Sequence, residues 1–183
     1  MNIPSLKTFE VNAKITDFLN RKFEQYKKSF PPSDRYYPKN CFKGDGFQTG
    51  NILEWQDDEY QHFLKNECSQ LIADIFEVGY DYKVDFFFHH MLEYDEGTSM
   101  TLHTHDHNED FVIFIYLNDC NDGQTVFYLN DKKDEFKKRT TVVVKPTKNM
   151  GVVFHAGIAH EGLPTYEHKK VFVCGIRIDL RTN

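Results

Sequence analysis

The sequence predicts a mostly β protein, a β-sandwich or open barrel, with helices packed on one outer face. Helical periodicity is confined to the first 80 residues, a period of two begins after Gly79, and turn-forming residues separate the later strands. Helices followed by many short strands are typical of this architecture. We therefore expect a single domain over residues 1–183, with helical support and a loop in 1–80 and the β core in 81–183.

Two segments in the first part of the chain have apolar residues at three- and four-residue spacing. The first runs from Ile15 to Phe30, with Asn12 as its N-cap and Pro31-Pro32 as its end. The second begins after Asp57, which can cap it, and ends at Gly79. Both segments predict amphipathic helices that bury one face.

Between the helices, residues 32–56 are rich in Pro, Gly and Asn. This composition predicts a long loop, with a short strand near Asn51–Trp55. A loop of this length is either a functional lid or ordinary connecting chain.

Alternating apolar and polar residues predict the strands of the β core. They are Tyr82–Tyr94, Met100–His105, Phe111–Leu117, Thr125–Leu129, Thr140–Lys145, Gly151–Phe154 and Lys170–Leu180. Phe111–Leu117 is apolar on both faces, which suits a strand between the interior and the helices. His89 and His90 are adjacent, so they face opposite sides of a strand and cannot both bind one metal ion.

Composition limits the possible partners. The formal net charge of −6 argues against a general nucleic-acid or membrane-surface binder, because such proteins carry a basic face. The chain contains no apolar run of the roughly 18–20 residues that a membrane helix needs, and its first residues do not resemble a signal peptide. The four cysteines are scattered and form no C-x-x-C pair, so we expect free thiols and a cytoplasmic location.

The most informative residues for function are histidines at alternating positions. His103, His105 and His107 share one face if the chain is extended, and imidazoles gathered in this way are typical metal ligands. A further ligand must come from a distant strand, and His155 or His160 can supply it. Pro164 and the nearby turn favour His160. The competing interpretation is an exposed histidine-rich turn that binds metal fortuitously.

A series of motifs in the second half resembles a known family. In order, the motifs are Tyr94-x-x-Gly97, His103, Tyr116-Leu117-Asn118-Asp119, Gly123-x-Thr125-x-Phe127, Pro146, Gly151-x-x-Phe154, His160-x-x-x-Pro164 and Lys170. Their order and spacing resemble those of the 2-oxoglutarate- and Fe(II)-dependent dioxygenases of the prolyl 4-hydroxylase-like group. The resemblance covers roughly Phe86 to Leu180. It implies a double-stranded β-helix (jelly-roll) with Fe(II) at its open end, and 2-oxoglutarate decarboxylation coupled to substrate oxidation, usually hydroxylation.

The resemblance also implies roles for individual residues. His103 is the first metal ligand and His160 the distal one. Lys170, ten residues after His160, would pair with the distal carboxylate of 2-oxoglutarate. Lys169 is the competing choice, because the length of the preceding loop is uncertain by one residue, and Arg177 is a more distant option.

Two further side chains, Tyr94 and Thr125, would donate hydrogen bonds to the cosubstrate if the resemblance holds. Without the resemblance, both would be ordinary strand residues.

The sequence departs from the family pattern at one place. The family has His-x-Asp where this chain has His103-Thr104-His105, which gives a three-histidine metal site of His103, His105 and His160. Asp106, His107 or Glu109 could restore a carboxylate. Counting back from Tyr116-Leu117-Asn118 also allows His105 and His107 as the pair, whereas counting forward from Gly97 favours His103 and His105.

The same stretch resembles the first metal-binding motif of the cupins, Gly97-x5-His103-x-His105-x3-Glu109. Three functions therefore remain. The first is an Fe(II)/2-oxoglutarate-dependent hydroxylase acting on a C–H bond of a small molecule or a peptidyl or amino-acid substrate. The second is a cupin-like metalloenzyme that does not use 2-oxoglutarate, and the third is a non-catalytic jelly-roll binding protein. We expect the substrate to contact residues 32–56 and the turns Asp106–Asp110 and Asn130–Lys138.

Overall fold

A computed structural model of the chain describes residues 5–29, 42–77, 82–105, 108–129 and 140–180. The described residues form two antiparallel β-sheets with helices outside the larger one. No described helix is both long enough and apolar enough to cross a membrane.

The two sheets together contain eleven strands among the described residues. The larger sheet has the order β1 (Leu6–Glu10), β9 (Met150–His155), β6 (Phe111–Tyr116), β11 (Lys169–Leu180), β4 (Tyr82–Tyr94) and β3 (Gly46–Gln48). The smaller sheet has the order β2 (Phe42–Lys43), β5 (Ser99–His103), β10 (Ala159–Gly162), β7 (Thr125–Leu129) and β8 (Thr140–Val144).

The helices begin where the sequence predicts, because the expected caps form. Helix α1 (Ala13–Ser29) follows Asn12, whose side-chain oxygen accepts a hydrogen bond from the backbone N–H of Lys14 at 2.9 Å. Asp57 accepts one from the N–H of Tyr60 at 3.0 Å. The second helical segment consists of α2 (Asp58–Phe63), a π-helical turn (Leu64–Cys68) and α3 (Ser69–Phe76).

Strand β6 separates two apolar clusters, as its uniformly apolar sequence predicts. Ile113 and Ile115 belong to the cluster that the larger sheet shares with the helices. Val112, Phe114 and Tyr116 belong to the cluster between the two sheets. Successive residues of a strand point to opposite faces, so six consecutive buried residues fill both clusters.

Some sequence-based expectations differ from the structure. The prediction of a short strand near Asn51–Trp55 is wrong, because Ile52–Glu54 forms a 3-10 turn capped by the side chain of Asn51. Strands β1, β2, β3 and β10 were not predicted. Each is five residues or shorter, and its extended shape depends on pairing with a neighbour rather than on a local pattern.

Several other expectations fall on residues that the structure does not describe. They concern Pro31-Pro32, Gly79, residues 32–41 of the predicted loop, Asp106 and His107, and the turn Asn130–Lys138.

A close approach at Gly151 gives a testable consequence for stability. A Cβ atom at this position would lie 2.1 Å from Cζ of Phe9, whose ring covers Gly151 where β1 pairs with β9. Gly151→Ala should therefore displace the Phe9 ring and lower the free energy of unfolding by about 1–3 kcal/mol. Denaturant unfolding measures this change. Gly157→Ala is the matched control, because a Cβ there meets only ordinary contacts, and equal stability of the two variants would contradict the prediction.

Candidate metal centre and adjoining cavity

Three histidines predicted from the sequence come together between the two sheets. His103 ends β5 and pairs directly with His160 of β10, so one antiparallel pair provides two of the imidazoles. His105 follows β5, and its backbone N–H donates to the carbonyl of Ala156 at 3.0 Å, which holds the segment beside β9. The ring centroids lie 4.3 Å apart for His103 and His160, and 5.1 Å apart for the other two pairs.

One nitrogen from each of these imidazoles can reach a common centre. The three atoms lie within 4.8 Å of one another. His155, the alternative to His160, is exposed at the end of β9 and does not belong to this group.

The hydrogen bonds of the rings leave a nitrogen lone pair free for a metal ion. Nδ1 of His160 lies 3.0 Å from the carbonyl oxygen of Ile158, and Nδ1 of His103 lies 2.7 Å from that of Thr101. A carbonyl oxygen can only accept, so Nδ1 carries the proton in both rings and Nε2 holds the lone pair. Nε2 of His160 is buried and has no partner among the described residues. This orientation of metal-binding imidazoles by backbone carbonyls is common. Together with the close approach of the three ligand atoms, it makes the site fit a divalent metal ion.

Burial also favours the neutral form of the His103 and His160 imidazoles, which is the form that binds metal. It lowers the pKa of His160 to about 3, with a smaller contribution from the nearby His103. Burial likewise lowers the pKa of His103. A cluster of converging imidazoles is chemically suited to Fe(II), Zn(II) and similar ions.

A cavity of about 440 Å³ adjoins the histidine cluster and extends between the sheets. Its walls are mostly apolar and include Met100, Leu92, Val171 and Val173. Such a cavity can enclose a small ligand and keep water away from it.

Lys169 is the buried cation of this cavity. Its side chain is 1% exposed, its ammonium donates to the carbonyl of Gly123 at 2.7 Å, and it lies 4.0 Å from the centre of the Tyr94 ring. No carboxylate pairs with it among the residues that the structure describes. Burial lowers the pKa of Lys169 to about 8. A buried ammonium without a counter-ion is a natural binding point for an anionic ligand.

Lys170, the first choice from the sequence, points away from the cavity. Its ammonium forms an ion pair with Glu24 of α1, on the helix side of the larger sheet. Neighbouring residues of β11 face opposite sides, so only one of the two lysines can enter the cavity, and it is Lys169. Arg177 also lies outside the cavity, where it contacts Asn108 and Asp110.

Tyr94 and Thr125, also predicted from the sequence, line the cavity near Lys169. The Thr125 hydroxyl accepts a hydrogen bond from Tyr116 at 2.8 Å, so its own proton remains available for a ligand. Thr125 pairs with Gly162, whereas Phe127 pairs with His160. The two pairs are two residues apart along the strands, which is about 7 Å.

Sequence reasoning missed several residues of the cavity. Gln48 lies on β3, inside the segment that was expected to be a loop. Phe88 stacks against His105 with 5.5 Å between ring centroids, and its alternation with the predicted strand residues could have placed it on the cavity face. His90 lines the cavity, whereas His89 faces the helices and bonds to Tyr60 at 2.6 Å, so the two histidines do face opposite sides.

Glu109, which the sequence offered as a substitute carboxylate, also lines the cavity. It does not belong to the group of ligand atoms within 4.8 Å of one another. Within the part of the chain that the structure describes, the compact cluster therefore contains imidazoles only.

No protein-family model matches the sequence, and no curated protein matches it. Solved structures do match. A prolyl-4-hydroxylase from Pseudomonas putida aligns with a TM-score of 0.68 at 18% identity, covering 97% of this chain and 94% of that one. A prolyl hydroxylase from Trichoplax adhaerens, in complex with a peptide fragment of the hypoxia inducible factor oxygen degradation domain, aligns at 0.66 and 14% identity, covering 96% and 84%. HygX from Streptomyces hygroscopicus, with nickel and 2-oxoglutarate bound, aligns at 0.66 and 10% identity, covering 96% and 83%.

These matches define the fold of the chain. The chain has the double-stranded β-helix fold of the 2-oxoglutarate- and Fe(II)-dependent oxygenases, and it contains a histidine triad that can hold a metal ion. The resemblance inferred from the sequence motifs is thus confirmed at the level of the fold.

Proposed function

We propose that the protein is an Fe(II)- and 2-oxoglutarate-dependent oxygenase, with His103, His105 and His160 as iron ligands and Lys169 as the partner of the distal cosubstrate carboxylate. One observation carries the proposal: a triad of imidazoles and a buried, unpaired ammonium line the same cavity. A dicarboxylate that chelates a metal ion with one end needs the metal held by the imidazoles and a cation such as this ammonium for its other end.

The chain would hold 2-oxoglutarate through charge and hydrogen bonds. The Lys169 ammonium would lie 3.6 Å from a Cβ atom placed on Gly162. Gly162 is two residues after His160 on β10, and both residues line the cavity. A five-carbon dicarboxylate suits this separation, with one end at the metal and the other at Lys169. Thr125 and Tyr94 would donate hydrogen bonds beside Lys169.

When bound, iron and 2-oxoglutarate would supply the oxidising power for attack on an unactivated C–H bond. The protein's own residues prepare the site for this chemistry. Two backbone carbonyls fix the protonated nitrogens of His103 and His160, so that the ligating nitrogens are preorganised. Apolar walls exclude water from the reacting centre.

We propose hydroxylation of a small molecule or of a peptidyl or amino-acid residue as the reaction. Peptide and small-molecule ligands both occur among the proteins that this chain resembles, since HygX has also been captured with hygromycin B. The buried, free thiols of Cys68, Cys120 and Cys174 support a reducing compartment such as the cytoplasm.

Anaerobic titration of the purified protein with Fe(II) and then 2-oxoglutarate tests the proposal. We expect a weak visible charge-transfer band to appear only when both are present, and succinate to form once oxygen is admitted. Iron binding without the band, and without succinate, would contradict the proposal.

A cupin-like metalloenzyme that does not use 2-oxoglutarate is the second candidate, because Glu109 lines the same cavity as the three imidazoles. This alternative predicts that metal binding and activity are independent of Lys169. The dioxygenase proposal predicts that 2-oxoglutarate binding and activity require Lys169. A non-catalytic jelly-roll would show neither succinate formation nor dependence on His160.

Cosubstrate affinity should depend on pH through Lys169. Because burial lowers the pKa of this ammonium to about 8, half of the free protein lacks the charge at that pH. Binding above pH 8 must then take up a proton, so the dissociation constant for 2-oxoglutarate should rise roughly tenfold between pH 7 and pH 9. Anaerobic titrations across this range measure the change.

Lys169→Arg is the control for that pH dependence, because a guanidinium stays charged throughout. Its affinity should be weaker but nearly independent of pH. A wild-type affinity that does not change between pH 7 and pH 9 would contradict the assignment of Lys169.

A further inference from the structure

The cavity contains a second buried charge that neither the metal nor the cosubstrate explains. Glu109 is 8% exposed and lies in the segment between β5 and β6. One carboxylate oxygen, Oε2, accepts a hydrogen bond from the backbone N–H of Asn108 at 3.1 Å. The other, Oε1, is buried and has no hydrogen-bond partner among the described residues. A buried carboxylate oxygen without a partner is costly, so a ligand that brings a hydrogen-bond donor or a cation to this oxygen would be stabilised there.

Neither proposed occupant of the site pairs with Glu109. Its oxygens lie outside the compact group of metal-ligand atoms formed by the three imidazoles. Lys169 forms no ion pair with it and lies at the other end of the cavity.

The order of residues along β11 shows that the two charges are at opposite ends. Lys169 begins the strand, whereas Ile176 near its other end accepts a hydrogen bond from Asp110, the residue after Glu109. Seven residues of extended chain separate the two points, which is about 23 Å along the backbone. The histidine cluster lies between them, because Val173 pairs with Phe114, whose ring is 5.5 Å from that of His160.

The wall beside this end of the cavity is aromatic and apolar. The ring of Phe88 lies over Gly175, where a Cβ would come within 2.4 Å of it, and stacks on His105. Val173 continues the wall towards Lys169. An alkyl chain can pack here while a charged end reaches Glu109.

We infer that the substrate carries a cationic nitrogen, an ammonium or guanidinium on a short alkyl chain, which pairs with Glu109 while the adjacent carbons lie beside the metal centre. This inference rests on the proposed function for the location of the reacting carbon, but the preference for a cation is a property of the cavity itself. With 2-oxoglutarate on Lys169, Glu109 is the remaining charge among the described residues that line the cavity. A substrate with a carboxylate at this end would be repelled.

Equilibrium binding of matched probes tests the inference. The probes are lysine with both termini capped as amides, its neutral counterpart capped norleucine, and free n-pentylamine. Each is titrated by calorimetry into protein loaded anaerobically with Fe(II) and 2-oxoglutarate, and separately into metal-free protein. We expect the cations to bind at least roughly tenfold more tightly than capped norleucine, since charge-assisted hydrogen bonds in a dry site discriminate to this extent.

The variants identify Glu109 as the source of the preference. Glu109→Gln keeps the shape and removes the charge, so the affinities for capped lysine and capped norleucine should become equal. Glu67→Gln, at an exposed position of the π-helical turn, should keep the preference. Thermal unfolding monitors folding, and Glu109→Met serves as a second charge-free variant if Glu109→Gln unfolds.

Three outcomes would overturn the inference: equal binding of cationic and neutral probes to the wild type, a preference that survives in Glu109→Gln, or loss of Fe(II) binding in Glu109→Gln. The last result would make the carboxylate a metal ligand. A preference for cations without a charge-transfer band would support the inference and contradict the proposed function instead. Tighter binding of capped lysine than of n-pentylamine would indicate a basic residue of a peptide, and the reverse order a small free amine.

Discussion

Replacing Lys169 by Met is expected to weaken 2-oxoglutarate binding strongly and, at the same time, to stabilise the fold. The ammonium is fully buried, and among the described residues that line the cavity it is the one cation that could pair with the distal carboxylate in the proposed complex. Removing one partner from such a pair should weaken cosubstrate binding at least roughly hundredfold. Anaerobic titration of the iron-loaded variant measures this loss.

The stabilisation follows from the direction of the pKa shift. Burial lowers the pKa of Lys169 from the ordinary 10.5 to about 8, so the folded state disfavours the charged form. That penalty is fully present below pH 8 and disappears above pH 10.5. At pH 7 it amounts to about 3 kcal/mol, and the Met side chain should recover about 1–3 kcal/mol of it after losing the hydrogen bond to Gly123.

Denaturant unfolding as a function of pH measures this second effect. The wild type should gain stability between pH 8 and pH 10.5 relative to Lys169→Met, so that the two curves converge. Lys170→Met is the matched control, because this neighbouring lysine faces α1 and pairs with Glu24. It should leave cosubstrate affinity unchanged. If Lys170→Met lost 2-oxoglutarate binding and Lys169→Met kept it, the assignment would be wrong.

Removal of the His160 imidazole is expected to lower Fe(II) affinity at least roughly hundredfold, because two protein ligands hold the ion much less tightly than three. His160→Ala should also eliminate the charge-transfer band with 2-oxoglutarate. The fold should survive, since the variant removes a buried polar group that has no partner at Nε2 among the described residues. Metal content after anaerobic loading and desalting gives the readout.

His155→Ala controls for histidine loss on a neighbouring strand. His155 is exposed, its Nδ1 accepts from the backbone N–H of Gly157, and it does not belong to the ligand group. This variant should bind iron as the wild type does. Full iron affinity in His160→Ala would show that the histidine triad is not the metal centre.

Local sequence patterns determined the secondary structure and part of the site. The uniformly apolar segment Phe111–Leu117 predicts a strand buried on both faces, and the structure places its odd and even residues in separate apolar clusters. The period-two spacing of His103 and His105, with His160 downstream, predicts the ligand triad, which the structure brings together. These features depend on periods of two and 3.6 and on capping residues, which are properties of a short stretch of chain.

Tertiary pairing alone decided which side chains face the cavity. The spacing from His160 favours Lys170 over Lys169 in the sequence, whereas the register of β11 against β4 and β6 makes Lys169 the cavity residue. The same holds for β10, a four-residue strand whose pairing with β5 sets His160 opposite His103. The role of Glu109 in the cavity could not be predicted from local sequence either. Its burial, and the absence of a partner for one oxygen among the described residues, result from packing between segments far apart in the chain, and no local pattern carries that information.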